Sequence, residues 1–228
     1  MGKRCAAIIV AAGSARRMEG IDKTMTPIGG VPMILRTAQA VAESDLIDTI
    51  IIVTRKDLVP SVTTLCSKVK KLSRVISGGE SRTESVQKGL EALPKGTQLV
   101  AIHDGARPLV RVEVIDEAIS AAREMGAAAP AVAVHDTIKQ AKVGMVQGTP
   151  DRRELFAVQT PQVFWVEKIT AALQKASEKG LSLTDDCSAL EAAGQPVRLT
   201  RGSVENMKIT TPVDIALAEA ILQWRKDQ

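Results

Sequence analysis

Cys5-Ala-Ala-Ile-Ile-Val-Ala-Ala-Gly-Ser-Ala-Arg-Arg-Met18 is the stretch that decides the fold. Residues 5–11 are continuously apolar, the pattern of a strand buried on both faces, and such strands belong to mostly parallel sheets covered by helices. The strand empties into Ala12, Gly13, Ser14 and Ala15, then into Arg16 and Arg17, with Lys23 shortly after. A tight loop after a buried strand aims backbone N–H groups at whatever lies beyond the sheet. The nearby cations mark that guest as an anion, and a phosphate chain is the commonest one. Neither familiar glycine-rich signature is present: G-x-G-x-x-G fails at Ala15, and G-x-x-x-x-G-K-[ST] fails because no glycine precedes Lys23.

Strand and helix patterns alternate outward from this start. Strands are expected at Thr49–Thr54, Leu72–Ile76, Leu99–His103 and Ala127–Val134, the last demoted towards a sheet edge by Pro130. Helices are expected over Pro32–Glu43, over 56–67, from the Ser81-Arg-Thr-Glu84 capping box to about Leu93, and over Val112–Met125. The implied class is α/β, a Rossmann-like domain with a mostly parallel twisted sheet and helices on both faces. No linker or repeat divides residues 1–228, which read as a single domain.

The pattern breaks at His135. Thr137-Ile-Lys-Gln-Ala and Val143-Gly-Met-Val-Gln flank a short turn at about Lys142, so 136–155 reads as a projecting β-arm rather than another crossover. A hairpin with so few large apolar residues needs something to pack on, such as a second subunit. Beyond it come a helix over Val166–Glu178, a short helix after Asp185-Asp186, a strand near Val197–Thr200, and a final helix with Thr211, Pro212 and Asp214 at its N-cap, N1 and N3.

With 228 residues, 45% hydrophobic and 25% charged, the chain has ordinary globular composition. Its only aromatics are Phe156, Phe164, Trp165 and Trp224, which argues against a single-stranded nucleic-acid platform built on stacked bases. The net charge of +4 from 30 basic and 26 acidic residues selects no partner, and Lys68, Lys70 and Lys71 suit a solvated helix end. Cys5, Cys66 and Cys187 lack metal-ligand spacing, which fits a reducing compartment. No apolar run is long enough to span a bilayer. The expectation is a cytoplasmic protein without nucleic-acid or membrane partners.

Several polar residues ask for a reason. Asp104 follows a buried strand and enters Gly105-Ala-Arg107-Pro108, where open α/β sheets bind ligands. An acid there suits Mg²⁺ shared with substrate phosphates, or alternatively a turn cap paired with Arg107; the cationic N-terminal loop favours the metal. His103, facing oppositely, reads as structural. Gly78-Gly79 ahead of Arg82 and Ser85 allow close backbone approach to a base, ribose or phosphate, or form a plain turn. In Gln159-Thr-Pro-Gln162, polar side chains interrupt an apolar stretch. Glu205 reads as a metal or substrate contact, and Lys208, placed in a short strand, as a phosphate contact or a snorkelling edge lysine. Asp185 and Asp186 read mainly as helix-start acids.

Taken in order, Ala11-Ala-Gly-Ser-Ala-Arg-Arg-Met18, Gly78-Gly79 with Arg82 and Ser85, His103-Asp-Gly-Ala-Arg-Pro108, Asp136-Thr137, Asp151-Arg152, Gln159-Thr-Pro-Gln162, Thr184-Asp-Asp186 and Asn206-Met-Lys-Ile-Thr-Thr-Pro212 resemble the 2-C-methyl-D-erythritol 4-phosphate cytidylyltransferases across essentially the whole chain. The resemblance implies CTP-dependent CMP transfer to the methylerythritol phosphate, with Mg²⁺ and a homodimer joined through the arm. It implies that Arg17, Lys23 and Lys208 do the catalytic work on the phosphates. The nucleotide would lie along Ala11, Ala12, Gly13, Ser14, Ala15, Gly78, Gly79, Arg82 and Ser85, and Asp104 would hold the metal. The second substrate would meet Asp104, Gly105, Arg107, Asp136, Thr137, Thr160, Glu205 and Lys208, with Arg152 reaching across from the partner subunit.

Three positions depart from that pattern: Ala15 replaces a glycine, Asp22 a proline and Glu205 an aspartate. Two other readings stand beside it, a ribitol-5-phosphate cytidylyltransferase and a non-catalytic nucleotide-binding protein. Ala11-Ala-Gly, Gly105-Ala-Arg and Asn206 favour methylerythritol phosphate over ribitol phosphate.

Overall fold

The computed structural model describes residues 4–13 and 23–228, Lys23 by its backbone alone. Along the chain run β1 (Cys5–Ala11), β2 (Pro27–Ile28), β3 (Val31–Pro32), α1 (Met33–Ala42), β4 (Thr49–Thr54), α2 (Val59–Cys66), β5 (Leu72–Ser77), α3 (Arg82–Glu91), β6 (Leu99–Asp104), α4 (Val112–Met125) and β7 (Ala127–Ala133). After β8 (Gln140–Lys142) and β9 (Met145–Gly148) come β10 (Phe156–Val158), β11 (Gln162–Trp165), α5 (Val166–Glu178), α6 (Cys187–Ala192), β12 (Arg198–Arg201) and α7 (Pro212–Lys226). The main sheet has eight strands in the order β10-β7-β11-β6-β1-β4-β5, with β12 also on β7. All neighbours are parallel except β10 and β11, which run antiparallel to β7 and β6.

Period-two alternation sorts the buried strand residues onto two faces. Cys5, Ala7, Ile9, Ile50, Ile52, Leu99 and Ala101 pack with α1, α2 and α4, while Ile8, Ile51, Val53, Val100, Ile102 and Phe164 pack with α3, α5 and α6. The uninterrupted apolar runs are thus two half-cores threaded on the same strands. A third small cluster of Ile28, Met33, Leu109, Ile209 and Ala218 seats α7.

Three expectations change. Pro130 sits in an interior strand, between β12 and the β10–β11 side. Its carbonyl accepts from Gln159 N–H at 2.7 Å, so its absent N–H points to the same side, where residues 159–161 bulge between β10 and β11. The arm's turn lies at Val143-Gly144, one step beyond Lys142, with both residues at positive φ (50° and 77°), as a tight two-residue hairpin requires. Residues 206–210 form no strand; Ile209 N–H donates to the Ala106 carbonyl, but the segment is held mainly by side chains.

Candidate active site

β1 has β4 on one side and β6 on the other, so the strand order reverses there. Ligands in open α/β sheets bind beyond the carboxyl ends of the strands at such a point. A cavity of about 470 Å³ opens there. Its floor comes from Val10 to Gly13 after β1, one wall from Gly79 to Arg82 and Ser85 at the start of α3, and the other from Asp104, Ala106 and Lys208.

The glycines beside it are needed for closeness. A Cβ on Gly78 would lie 2.4 Å from the Ala12 Cβ and 2.6 Å from Ser85 Oγ. One on Gly105 would lie 2.9 Å from the Ala11 Cβ and 3.2 Å from the Val10 carbonyl. Neither glycine has positive φ, so both serve to bring loops together. Ser81 caps α3 by accepting from Glu84 N–H at 3.1 Å, while the Glu84 carboxylate accepts from Glu80 N–H, one residue earlier than a reciprocal capping box would have it. Ser85 Oγ accepts from Gly79 N–H at 3.1 Å and donates to the Ser81 carbonyl at 2.9 Å.

Asp104 is the electrostatic centre. Its Oδ2 is 2.7 Å from Lys208 Nζ, and its Oδ1 is 3.4 Å from the Arg82 guanidinium. Burial pushes the Asp104 carboxyl up, but Arg82 and Lys208 outweigh that and hold it at about 2. Asp104 is therefore ionised at neutral pH. Arg82 also forks onto Asp186 at 2.9 and 2.7 Å, and its carboxylate neighbours raise the guanidinium further despite burial. Burial pushes the Asp186 carboxyl upward against the pull of Arg82.

Behind Asp104 is a chain of buried hydrogen bonds. Asp104 N–H donates to Thr160 Oγ1 at 3.0 Å, and that hydroxyl lies 3.0 Å from His103 Nδ1. His103 Nε2 is 3.1 Å from the Arg107 carbonyl. A carbonyl only accepts, so Nε2 carries the proton and Nδ1 accepts from Thr160. Burial pushes the His103 imidazole down to about 4, which keeps it neutral.

Every polar residue of the Gln159-Thr-Pro-Gln162 segment has a task. Gln159 bonds Ser203 through both its oxygen and its nitrogen, and Asn206 Nδ2 donates to Gln159 Oε1 at 3.2 Å and to the Thr160 carbonyl at 2.8 Å. Arg107 then donates to the Asn206 carbonyl at 2.6 Å. This bracket holds the 203–209 loop against the sheet and delivers Lys208 to Asp104. The Thr160–Pro161 peptide is cis.

The family profile for 2-C-methyl-D-erythritol 4-phosphate cytidylyltransferase matches residues 5–224. The chain belongs to this family. It is 45% identical over 228 residues to the cytidylyltransferase of that name from Desulforamulus reducens, covering 96% of each chain. It is 42% identical over 218 residues to that of Symbiobacterium thermophilum, covering 95% of this chain and 92% of the relative. Among solved structures, 4-diphosphocytidyl-2C-methyl-D-erythritol synthase from Anaerococcus prevotii superposes with a TM-score of 0.88 at 33% identity, covering 97% of this chain and 99% of the other. The Thermus thermophilus 2-C-methyl-D-erythritol 4-phosphate cytidylyltransferase gives 0.81 at 30% identity, covering 96% and 99%.

In this cytidylyltransferase-family chain the cavity gathers Ala11, Ala12, Gly13, Gly79, Arg82, Ser85, Asp104 and Lys208. Ser14, Ala15, Arg17 and Asp22 lie outside the described residues, as does the Lys23 side chain. The other expected contacts lie outside the cavity lining. Thr160 spends its hydroxyl on Asp104 and His103, and Arg107 is tied to Asn206. The Gly105 carbonyl accepts from Thr37 Oγ1. Glu205 is held by Arg111 at 3.0 and 3.1 Å and by Arg225 at 2.7 Å, and does not line the cavity. Asp136 and Thr137 are exposed at the root of the arm, and Arg152 donates to the His135 carbonyl. Asp186, read from sequence as a helix-start acid, is a buried partner of Arg82 instead; no sequence signal links two residues so far apart.

Among the described residues no three His, Cys, Asp or Glu side chains gather into a metal cluster. Magnesium shared with nucleotide phosphates needs only one or two carboxylates. Asp104, ionised in the cavity wall, is one, so the donor set fits. The three cysteines are buried and free. No helix among the described residues is long and apolar enough to cross a membrane.

Proposed function

We propose that the chain transfers CMP from CTP to 2-C-methyl-D-erythritol 4-phosphate, giving 4-diphosphocytidyl-2-C-methyl-D-erythritol and pyrophosphate. The observation that carries this reading is the Asp104–Lys208 pair, closed at 2.7 Å in the cavity where the strand order reverses, in a chain whose family match runs over residues 5–224. A phosphate monoester has its second pKa near ~6 and is already nucleophilic at neutral pH. It attacks the α-phosphorus in line and expels pyrophosphate, so no general base is needed. The protein's part is orientation and positive charge against the developing oxyanion. Lys208 meets the phosphates from the 203–209 loop, and Arg17 and Lys23, which follow β1 in the sequence, meet them as well. Gly79, Ser81 and Ser85 line the side of the cavity that would take the nucleotide. Asp104 would hold Mg²⁺, which supplies further positive charge to the phosphates when bound. The ribitol phosphate alternative is not favoured by the family match.

The same reading makes the protein a homodimer. Among the described residues the β8–β9 arm pairs only with itself, and Val143, Met145 and Val146 are 95%, 70% and 59% exposed. An apolar hairpin of this size is covered by a second copy in the proposed assembly, which also carries Asp136, Thr137 and Arg152 to the partner's site. Mixing inactive Lys23→Ala dimers with inactive Arg152→Ala dimers tests it. Free exchange should restore up to about one quarter of wild-type activity per site, because one hybrid site has both groups intact. No recovery after demonstrated exchange places Arg152 outside the partner's site.

The reaction itself is tested by ³¹P NMR of CTP and methylerythritol phosphate incubated with the protein. The expected spectrum gains a new diphosphate and free pyrophosphate, both lost with chelator and restored by magnesium. Unchanged CTP resonances contradict the reading.

A further inference from the structure

The residue at the N-cap of α6 does not cap. An aspartate there ordinarily accepts from the N–H groups of the first turn, yet the Asp186 side chain makes no such bond. Asp185 Oδ1 takes part of that task, accepting from Ser188 N–H at 2.9 Å, and Gln162 of β11 takes the rest. Its Oε1 accepts from Asp186 N–H at 3.0 Å and Cys187 N–H at 3.1 Å, and its Nε2 donates to Asp185 Oδ2 at 2.7 Å. The buried Asp186 carboxylate is thereby free to take both arms of Arg82 at 2.9 and 2.7 Å. The same guanidinium reaches Asp104 only at 3.4 Å. Two acids compete for one cation, and the short bonds go to the acid outside the cavity lining.

Without the Asp186 charge, the guanidinium has one carboxylate left, Asp104 Oδ1, which already lies within a small rotation. A charge-assisted bond there would bring Arg82 to about 2.8 Å and occupy an oxygen of the cavity wall. We propose that Asp186 is a positioning residue that holds Arg82 off Asp104, leaving the Asp104 carboxylate to Lys208 and to the incoming ligand. The kinetic consequence rests on the CTP reading; the structural consequence rests on geometry alone.

The test compares Asp186→Asn, Arg82→Gln and the double variant. Asp186→Asn keeps the side chain's shape and one acceptor oxygen but loses the charge that wins Arg82. Its crystal structure should show the Arg82–Asp104 distance shortened from 3.4 Å to about 2.8 Å, and kcat/KM for CTP should fall roughly 10–100-fold, the range for groups that support a ligand-binding residue. Calorimetric CTP affinity should fall in parallel. In the Arg82→Gln background the same substitution should cost less than about twofold more, because the residue it acts through is gone. Arg82 remaining 3.4 Å from Asp104 in the Asp186→Asn structure overturns the proposal, whatever the substrate. So does the full kinetic loss reappearing in the Arg82→Gln background, which would mark plain support of α6. A wild-type protein that neither binds nor turns over CTP fails the substrate reading alone, and the crystallographic comparison still decides the proposal. If Asp186→Asn does not fold, Gln162→Ala carries the test: it frees the Asp186 and Cys187 N–H groups, which draw the Asp186 carboxylate and release Arg82 onto Asp104, and an unmoved Arg82 overturns the proposal.

Discussion

Lys208 Nζ and Asp104 Oδ2 meet at 2.7 Å from opposite sides of the same cavity wall, one from the loop after β12 and the other from the end of β6. Each is a counterion of the other. In the proposed reaction a nucleotide would offer Lys208 a more highly charged partner and Asp104 would hold the metal, so substrate would take the pair apart.

Lys208→Ala should therefore lower kcat by about 10²-fold or more, the scale for removing a preorganised oxyanion donor. Steady-state kinetics with both substrates varied checks it. A raised KM with unchanged kcat would make Lys208 a uniform binder.

His103 should give the fold an acid-sensitive step. Its imidazole is held down at about 4 by burial, against an ordinary 6.5. The unfolded chain thus binds the extra proton first. Stability is complete above pH 6.5 and is lost as pH falls towards 4, by about 3 kcal/mol at most from this group. Asp104, held at about 2 against an ordinary 3.8, adds a further loss below its unfolded value as pH falls through 2. His103→Gln should flatten the Tm profile between pH 6.5 and 4 relative to wild type. An equally steep profile in the variant would assign the acid sensitivity elsewhere.

Gly78→Ala should cost about 1–3 kcal/mol, as overpacking does in a filled interior, because the new methyl falls 2.4 Å from the Ala12 Cβ. Gly144→Ala is a contrasting control: nothing lies within 4 Å, and its cost comes from φ +77° alone. Urea midpoints compare the two. A Gly78→Ala protein with wild-type stability and activity would show that the loop after β5 has room that its packing does not suggest.

Glu205→Gln should lower Tm more than it lowers kcat/KM. Burial pushes the Glu205 carboxyl up, and hydrogen bonds from Arg111 and Arg225 outweigh it and hold it below its ordinary value. Removing the charge unpairs two arginines that join α7 to the start of α4. A large kinetic loss at unchanged Tm would return Glu205 to the substrate contacts.

The fold was readable because burial on both faces leaves a continuous apolar signature, and Cys5–Ala11, Ile50–Val53 and Leu99–Ile102 carry it. The ends of Val112–Met125 and Val166–Glu178 follow their periodicity, and Thr211, Pro212 and Asp214 take the expected N-cap, N1 and N3 places, Thr211 and Asp214 closing a capping box. Pro130 misled because a missing N–H normally means an edge, whereas here it faces a bulge formed by residues distant in sequence. The 206–210 segment looked strand-like from its residue types but is held by Asn206 and Gln159 side chains. For the site, loops following strands were visible locally, so Asp104, Arg82 and Lys208 could be named. What Thr160, Gln162 and Asp186 touch depends on long-range partners and leaves no local pattern.

CMP transfer to methylerythritol phosphate in this cavity is decided by pyrophosphate release from each of the four nucleoside triphosphates paired with each of methylerythritol 4-phosphate and ribitol 5-phosphate, in magnesium. Release should be rapid from CTP with methylerythritol 4-phosphate and at least about 10²-fold slower from every other pair. Release favouring ribitol 5-phosphate, or none from any pair, would contradict it.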